Sequence, residues 1–313
     1  MKTFDFLYCT GEPGWKSHWA AQELSAAGLI RQCIGFDNRY VGLPPDSTMD
    51  MFKDSDSDAI FFMAPYFFSN FIHAHADEFK ALGKPLVHVV FEESFAHKHP
   101  IFPVFAKGHL DFFTHYFCAH ESDVAEFSKT APASLIPLWV AASLMPAPLP
   151  RHNRLTKAVF VGTVGKPEWG TTYIKRRSIL ERLDNEGYCD WLQIPNCWQT
   201  APAVASLYGS YAAVVSPPAP GSGHSIRAYE ATAMGALLVE VQREEAPESE
   251  KWFKDGVHCI ELPASYGPNE VAEWFKSVKF YEHAAIAEAG MKHCRENFGA
   301  VKVFGDMLAK LFP

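Results

Sequence analysis

Short apolar runs alternate with amphipathic stretches along nearly the whole chain. Residues 3–9 are apolar and β-prone and run into a loop carrying Gly11 and Gly14. Residues 16–27 then place apolar side chains at helical spacing, with Gly28 as the stop. Residues 31–36 and 58–64 are predicted strands, residues 70–82 a helix closed by Gly83 and Pro85, and residues 86–91 (Leu-Val-His-Val-Val-Phe) a strand of the fully buried type. Shorter strands are expected at 115–119 and 134–138. Strands separated by helical crossovers make parallel sheets, and apolar runs without alternation agree, because parallel strands are covered on both faces.

The pattern pauses at residues 144–154, where Pro146, Pro148 and Pro150 stand among small and basic residues, and then restarts. A strand at 158–161 leads into Gly162-Thr163-Val164-Gly165, followed by a helix at 176–183, a strand at 189–194, a helix at 203–208 and a strand at 212–216. The proline- and glycine-rich loop 217–223, a helix at 226–234 and a strand at 236–241 come next, and the tail from residue 269 is helical, in pieces broken near Gly290 and Gly299. The expectation is two α/β domains, 1–150 and 151–313, with the C-terminal helices crossing back to the first. A chain of 313 residues suits that division.

Composition narrows the classes of function. A formal charge of −8 leaves no overall basic footprint for nucleic acid or an anionic membrane. No apolar run reaches the length of a membrane span, and the first residues lack a signal-peptide pattern. The 7 cysteines are scattered and form no C-x-x-C pair, so a zinc ribbon or disulfide framework is not expected, and the chain reads as cytoplasmic and reduced.

Chemistry concentrates between Ser216 and Gly235. A strand ends at Ser216, a loop follows, and a helix begins near Ser225 or Ile226. Gly221 and Gly223 allow backbone to approach a ligand closely. A helix N-terminus offers unpaired N–H groups and the positive end of a dipole, which suits a diphosphate. Ser225 is placed to cap that helix or donate to the same phosphate, and His224 lies just before it. Arg227 supplies a charge-assisted donor pair, and Glu230, one turn on, an acceptor for two ribose hydroxyls. The plainer reading of these residues is one more strand–loop–helix unit with a surface Arg/Glu pair.

The stretch Arg227-Ala-Tyr-Glu-Ala-Thr-Ala-Met-Gly-Ala-Leu-Leu-Val239 resembles the R-x-(Y/F)-E-A-x-A-x-G-x-L-L signature of group 1 glycosyltransferases, and is similar to the spore-maturation-type (CgeB-like) branch. Ala158-Val-Phe-Val-Gly-Thr163, with the Arg176/Arg177 helix after it, resembles that family's opening of the donor domain. Trp252-Phe-Lys-Asp-Gly256 resembles its later F-x-D-G stretch, and residues 285–298 its closing helices. The match runs through most of residues 155–300; the N-terminal half agrees in strand–helix pattern alone. The resemblance implies a GT-B fold, two Rossmann-like domains with mainly parallel sheets facing across a cleft. It also implies a metal-independent transfer from a nucleoside-diphosphate sugar, UDP or GDP, with no other cofactor. Glu230 would take the donor ribose and residues 223–227 the diphosphate, with Gly162, Thr163 and Arg177 lining the donor side. Many retaining relatives carry another glutamate about eight residues before the ribose one; here stands Gly221-Ser222-Gly223, so the resemblance gives no stereochemical course. The acceptor is open among a glycan, a protein, a small molecule and a modified DNA base. Rival activities are a phage-type DNA-base glycosyltransferase, a sugar-nucleotide epimerase and a non-catalytic nucleotide-sugar binder.

Other candidates are secondary. Glu92 and Glu93 follow a strand end, where open α/β sheets bind ligands, and either is a candidate general base beside an acceptor hydroxyl; the alternative is a solvated loop pair. His18, just after the loop at Gly11–Gly14, is a similar candidate. Glu93, His97 and His99 have metal-ligand types but no zinc spacing, so no metal site is expected. Asp54-Ser-Asp-Ser-Asp58 contains D-x-D but reads as a solvated turn, and Gly162–Lys166 fails the P-loop spacing. Tyr66-Phe-Phe68 and Phe112-Phe113 read as core, with stacking on an acceptor as the alternative.

Overall fold

The computed structural model describes residues 1–9, 15–36, 47–63, 65, 69–90, 111–162, 164, 171–192, 201–218, 224–242 and 252–313. The chain divides into two compact units, residues 1–137 with 300–313, and residues 138–299.

In the first unit, β1 (Phe4–Cys9), β2 (Ile30–Phe36), β3 (Ala59–Met63), β4 (Leu86–Val90), β5 (His115–Cys118) and β6 (Ala133–Leu135) form a parallel sheet in the order β2-β1-β3-β4-β5-β6. β3 and β4 are buried throughout, the physical meaning of their unbroken apolar runs. One core packs Phe62, Phe79, Phe112, Phe113, Tyr116 and Phe127, so the Phe112-Phe113 pair is core rather than a stacking platform. Around Phe4, Phe6 and Phe61 the rings of β1 and β3 meet Phe304 of the helix Ala300–Leu311, stacked on Phe4 at 5.7 Å between centroids. That helix is how the end of the chain returns to the first unit.

The D-x-D stretch is structural. Asp58 accepts from Lys2 Nζ at 2.7 Å and from the Thr3 amide at 2.8 Å, and its carboxyl is held below the usual range by Lys2 first and then by the amide. Ser55 and Ser57 donate to the buried Asp5 carboxylate at 2.8 and 2.7 Å. These bonds tie the turn to the start of β1.

In the second unit β7 (Leu155–Val161), β8 (Cys189–Leu192), β9 (Tyr211–Ser216), β10 (Leu237–Val241) and β11 (Ile260–Leu262) form a parallel sheet in the order β11-β10-β9-β7-β8. Residues 138–150, expected with the first domain, belong here. Arg154 donates Nε and a terminal nitrogen to Leu149 O at 3.0 and 2.8 Å, and Val140 donates its amide to Phe298 O at 2.8 Å. The proline-rich stretch is thereby stitched to the second unit instead of acting as a free linker. The expected break at Gly290 is also absent: the helix Ala284–Asn297 runs through it. A Cβ there would stand 2.4 Å from His258 O and 3.1 Å from Thr232 Cγ2, so the glycine marks close packing against a neighbour.

Candidate functional site

The order of the second sheet reverses between β7 and β9, since β8 lies outside β7 and β10 outside β9. Open parallel sheets bind ligands outside the carboxyl ends of strands at such a switch point. β7 ends at Val161 and β9 at Ser216, so the switch point coincides with Gly162 and the residues around Ser225.

Gly162 leaves β7 with φ 136°, a conformation L side chains rarely adopt. A Cβ at that position would fall 2.7 Å from an Arg227 terminal nitrogen. Both peptide groups around it are held: its amide donates to Leu192 O at 2.9 Å, and its carbonyl accepts from the Trp191 indole N–H at 3.1 Å.

Arg227 fills the space the glycine leaves. Its Nε donates to Val161 O at 2.7 Å, a terminal nitrogen donates to Ser225 Oγ at 3.3 Å, and its guanidinium lies 4.0 Å from the Phe160 ring centroid. Tyr208, buried in the helix Ala201–Gly209, shares a hydrogen bond with the same guanidinium. Burial pulls the Arg227 pKa below its ordinary value, against the opposing pull of Tyr208 and Glu230. Burial likewise pushes the Tyr208 phenol up, with the Glu230 charge adding to it. Fixed by four protein groups, Arg227 is pre-organised as a planar donor.

The helix Ile226–Ala233 starts at Ser225, whose extended backbone (φ −68°, ψ 155°) serves as N-cap without a side-chain cap bond. The Ser225 hydroxyl faces Arg227 instead. Capping by Ser225 is therefore replaced by a contact that braces the arginine, and the first amides of the helix have no side-chain acceptor at the cap. Glu230 follows one turn after Arg227 on a half-buried face.

His224 has a different place from the one expected. Its Nε2 accepts from the Phe253 amide at 3.3 Å, which puts the ring proton on Nδ1, and Nδ1 faces the Glu240 carboxylate. Ser216 donates its hydroxyl to the other oxygen of Glu240 at 3.2 Å. The ring is thus held by the Phe253 amide at Nε2 and lies against the Glu240 carboxylate at Nδ1, which with the Ser216 hydroxyl pins the residue before the helix to the ends of β9 and β10. The pairing of His224 with Glu240 has no signature in the local spacing of the chain. A buried-strand glutamate at position 240 beside the strand-end Ser216 was the available signal, since a carboxylate there needs donors.

Arg177 lies away from this cluster. It is 45% exposed and faces Glu181 at 3.9 Å on the outer side of the helix Thr171–Asn185. Its neighbour Arg176 points inward, 4.9 Å from the Phe160 centroid on which Arg227 also rests. The signal was the stripe Arg176, Ile179, Leu180, Leu183, spaced as the buried face of a helix. Thr163, Gly221, Gly223, Glu92 and Glu93 lie outside the described residues, as do His97, His99 and Tyr66–Phe68. His18 belongs to the helix Trp15–Ala26, with its side chain outside them.

No protein-family model matches the chain, and no curated protein matches it. Solved structures do, over nearly full length. Anabaena HepE in complex with UDP-glucose is 15% identical, with 99% of each chain covered and a TM-score of 0.63. Trehalose-6-phosphate synthase is 11% identical with 99% of each chain covered and a TM-score of 0.61. A UDP-N-acetylglucosamine 2-epimerase is 9% identical, covering 99% of this chain and 96% of the other, with a TM-score of 0.54. The fold is GT-B. Two mainly parallel sheets with flanking helices are what this GT-B chain shares with those structures, whereas its identity to each of them is too low to carry residue roles across. Among the described residues of the GT-B chain, no helix is long and apolar enough to cross a membrane.

Proposed function

We propose that this protein is a glycosyltransferase that takes its donor as a nucleoside-diphosphate sugar at the β7/β9 switch point of the second unit. The observation that carries the proposal is the Gly162–Arg227–Ser225 arrangement. A glycine with no room for a side chain, a braced guanidinium and an uncapped helix start converge where a diphosphate is best stabilised. Arg227 and the helix amides neutralise the charge that develops on the diphosphate leaving group, and Glu230 accepts from the ribose hydroxyls. A divalent cation is not required by this scheme, and no other cofactor is invoked.

Two things support reading the donor as a UDP-sugar and the branch as spore-maturation-type. HepE was solved with UDP-glucose, and the motif at residues 227–239 resembles that branch. The acceptor hydroxyl comes from a separate substrate, for which Glu92, Glu93 and His18 remain the candidate bases.

Glu230→Ala is expected to weaken UDP binding more than tenfold in a calorimetric titration, through loss of two hydroxyl contacts to a charged acceptor. Unchanged affinity removes Glu230 from the ribose site. Incubation with a UDP-sugar and no acceptor separates the epimerase reading, which requires isomerised sugar nucleotide as product.

A further inference from the structure

One peptide group joins two helices of the second unit. The Trp252 carbonyl accepts from His293 Nε2 at 2.9 Å, and the amide across the same peptide bond, Phe253 N–H, donates to His224 Nε2 at 3.3 Å. His293 stands on the helix Ala284–Asn297, and His224 immediately before the N-cap of the helix Ile226–Ala233. A carbonyl only accepts, so His293 carries its proton on Nε2, and its Nδ1 accepts from Asn297 Nδ2 at 3.1 Å. The bonds therefore run in one direction, from Asn297 through His293 and the Trp252–Phe253 peptide to His224, whose Nδ1 lies against Glu240. Bonds aligned in this way strengthen one another. The Phe253 ring, buried against His224, Tyr229 and Phe298, keeps the peptide in place.

A second imidazole bears on this line. His258 stacks on His293 with centroids 4.0 Å apart and planes 7° from parallel. Its Nδ1 accepts from the Lys254 amide at 3.3 Å, so this ring too is neutral, with its proton on Nε2. A proton arriving at Nδ1 of either ring removes that acceptor, and two imidazolium rings in such contact repel. Burial first, then His293 and Lys254, hold the His258 pKa below its ordinary value. The other charges beside the stack are turned elsewhere: Asp255 accepts from the Glu261 amide at 2.9 Å, and Lys292 faces Glu296 at 4.0 Å. A base whose pKa is lowered in the closed form takes its proton more readily once the contact opens. The stack is therefore complete above about pH 6.5 and is lost as the pH falls below it.

We infer that the His258–His293 stack is an acid-sensitive latch on the start of the helix Ile226–Ala233, holding it through the Trp252–Phe253 peptide and His224 while both rings are neutral and releasing it when they take up protons. That the released element is the donor site rests on the nucleoside-diphosphate reading; the latch itself rests on the hydrogen-bond line and the stack. His293 is thus a positioning residue, acting through a peptide group and a second histidine.

The test compares the full-length wild type, His258→Phe and His293→Gln at pH 7.5 and 5.5. Phenylalanine keeps a flat ring on His293 and cannot take a proton. Glutamine keeps a donor for the Trp252 carbonyl without the charge. Without ligand, the protection of the Phe253 amide is read by NMR hydrogen exchange, corrected for the intrinsic effect of pH. Wild-type protection is expected to fall on the order of tenfold between the two pH values, and most of that fall is expected to vanish in each variant. UDP affinity, measured by calorimetry, is expected to drop with pH several-fold more in wild type than in the variants. His224 is present in all three chains, so the difference between them reports the stack alone.

Protection of Phe253 that is indifferent to pH in wild type, or that falls equally in all three chains, overturns the inference and leaves the proposed function intact. A protein that binds no UDP at either pH removes the proposed function, while the expected exchange pattern still upholds the latch. UDP affinities that fall in parallel in all three chains, despite the expected exchange pattern, overturn the link to the donor site. Both variants melting far below wild type at pH 7.5 make the stack a structural contact and overturn the inference.

Discussion

Arg227→Met is expected to weaken UDP binding by roughly 100-fold. Truncating one partner of a buried, hydrogen-bonded charge pair costs about 2–5 kcal/mol, and each 1.4 kcal/mol is a factor of ten. Arg227 meets that condition because its guanidinium is held before the ligand arrives. Val161 O fixes Nε, Ser225 and Tyr208 fix the remaining edges, and Phe160 covers one face. Little side-chain entropy is then lost on binding, so most of the electrostatic gain appears as affinity. Methionine keeps contact with Phe160, which separates loss of the donor from loss of packing. The melting temperature without ligand is expected to fall by only a few degrees, since the Val161 carbonyl loses one donor. Arg227→Lys is expected to behave like the methionine variant, because an ammonium cannot reproduce the planar fork. A change in affinity below about fivefold, measured by titration with UDP, places the diphosphate elsewhere.

The second large effect concerns the scaffold. Gly290→Ala is expected to destabilise the protein by about 3 kcal/mol, the upper end for over-packing a core. In an open helix interior the same change stabilises by up to about 1 kcal/mol. Here the new methyl group would stand 2.4 Å from a backbone carbonyl, His258 O. That carbonyl belongs to a turn closed by His258 N to Lys254 O at 2.8 Å and Gly256 N to Cys259 O at 2.9 Å, and it cannot simply swing away. Gly305→Ala supplies the control, since Gly305 is also helical but a Cβ there meets nothing within 4 Å. Thermal melting should show a drop of roughly 6–10 °C for Gly290→Ala and none for Gly305→Ala. Equal behaviour of the two variants contradicts the close packing.

The strands were legible because burial on both faces writes itself as unbroken apolar runs, as at residues 59–63 and 86–90. Motif resemblance and helix-terminus physics both point to the stretch around Arg227, whereas the strand order that makes it a switch point is not written in the sequence. Periodicity distinguishes neighbours such as Arg176 and Arg177 only when the phase of the helix is known. The stripe through Ile179 and Leu183 selects Arg176, but it reads as an arginine in an apolar slot until the partner over Phe160 is seen. Gly290 reads as a break because sequence shows missing helix propensity and not the carbonyl pressed against it. His224 reads as a ligand group because the groups its ring meets, Glu240 and Phe253 N, lie far from it in sequence. The boundary near residue 150 was drawn at prolines, whereas the arginines 154 and 295 bind carbonyls at 149 and 146 and decide where that stretch belongs.

The central claim is that a nucleoside diphosphate binds at the carboxyl ends of β7 and β9, and a crystal structure of the protein with UDP tests it most directly. The account predicts the diphosphate within hydrogen-bonding distance of the Arg227 guanidinium and the first amides of the helix Ile226–Ala233, with the ribose hydroxyls on Glu230. UDP bound with neither Arg227 nor Glu230 in contact contradicts it.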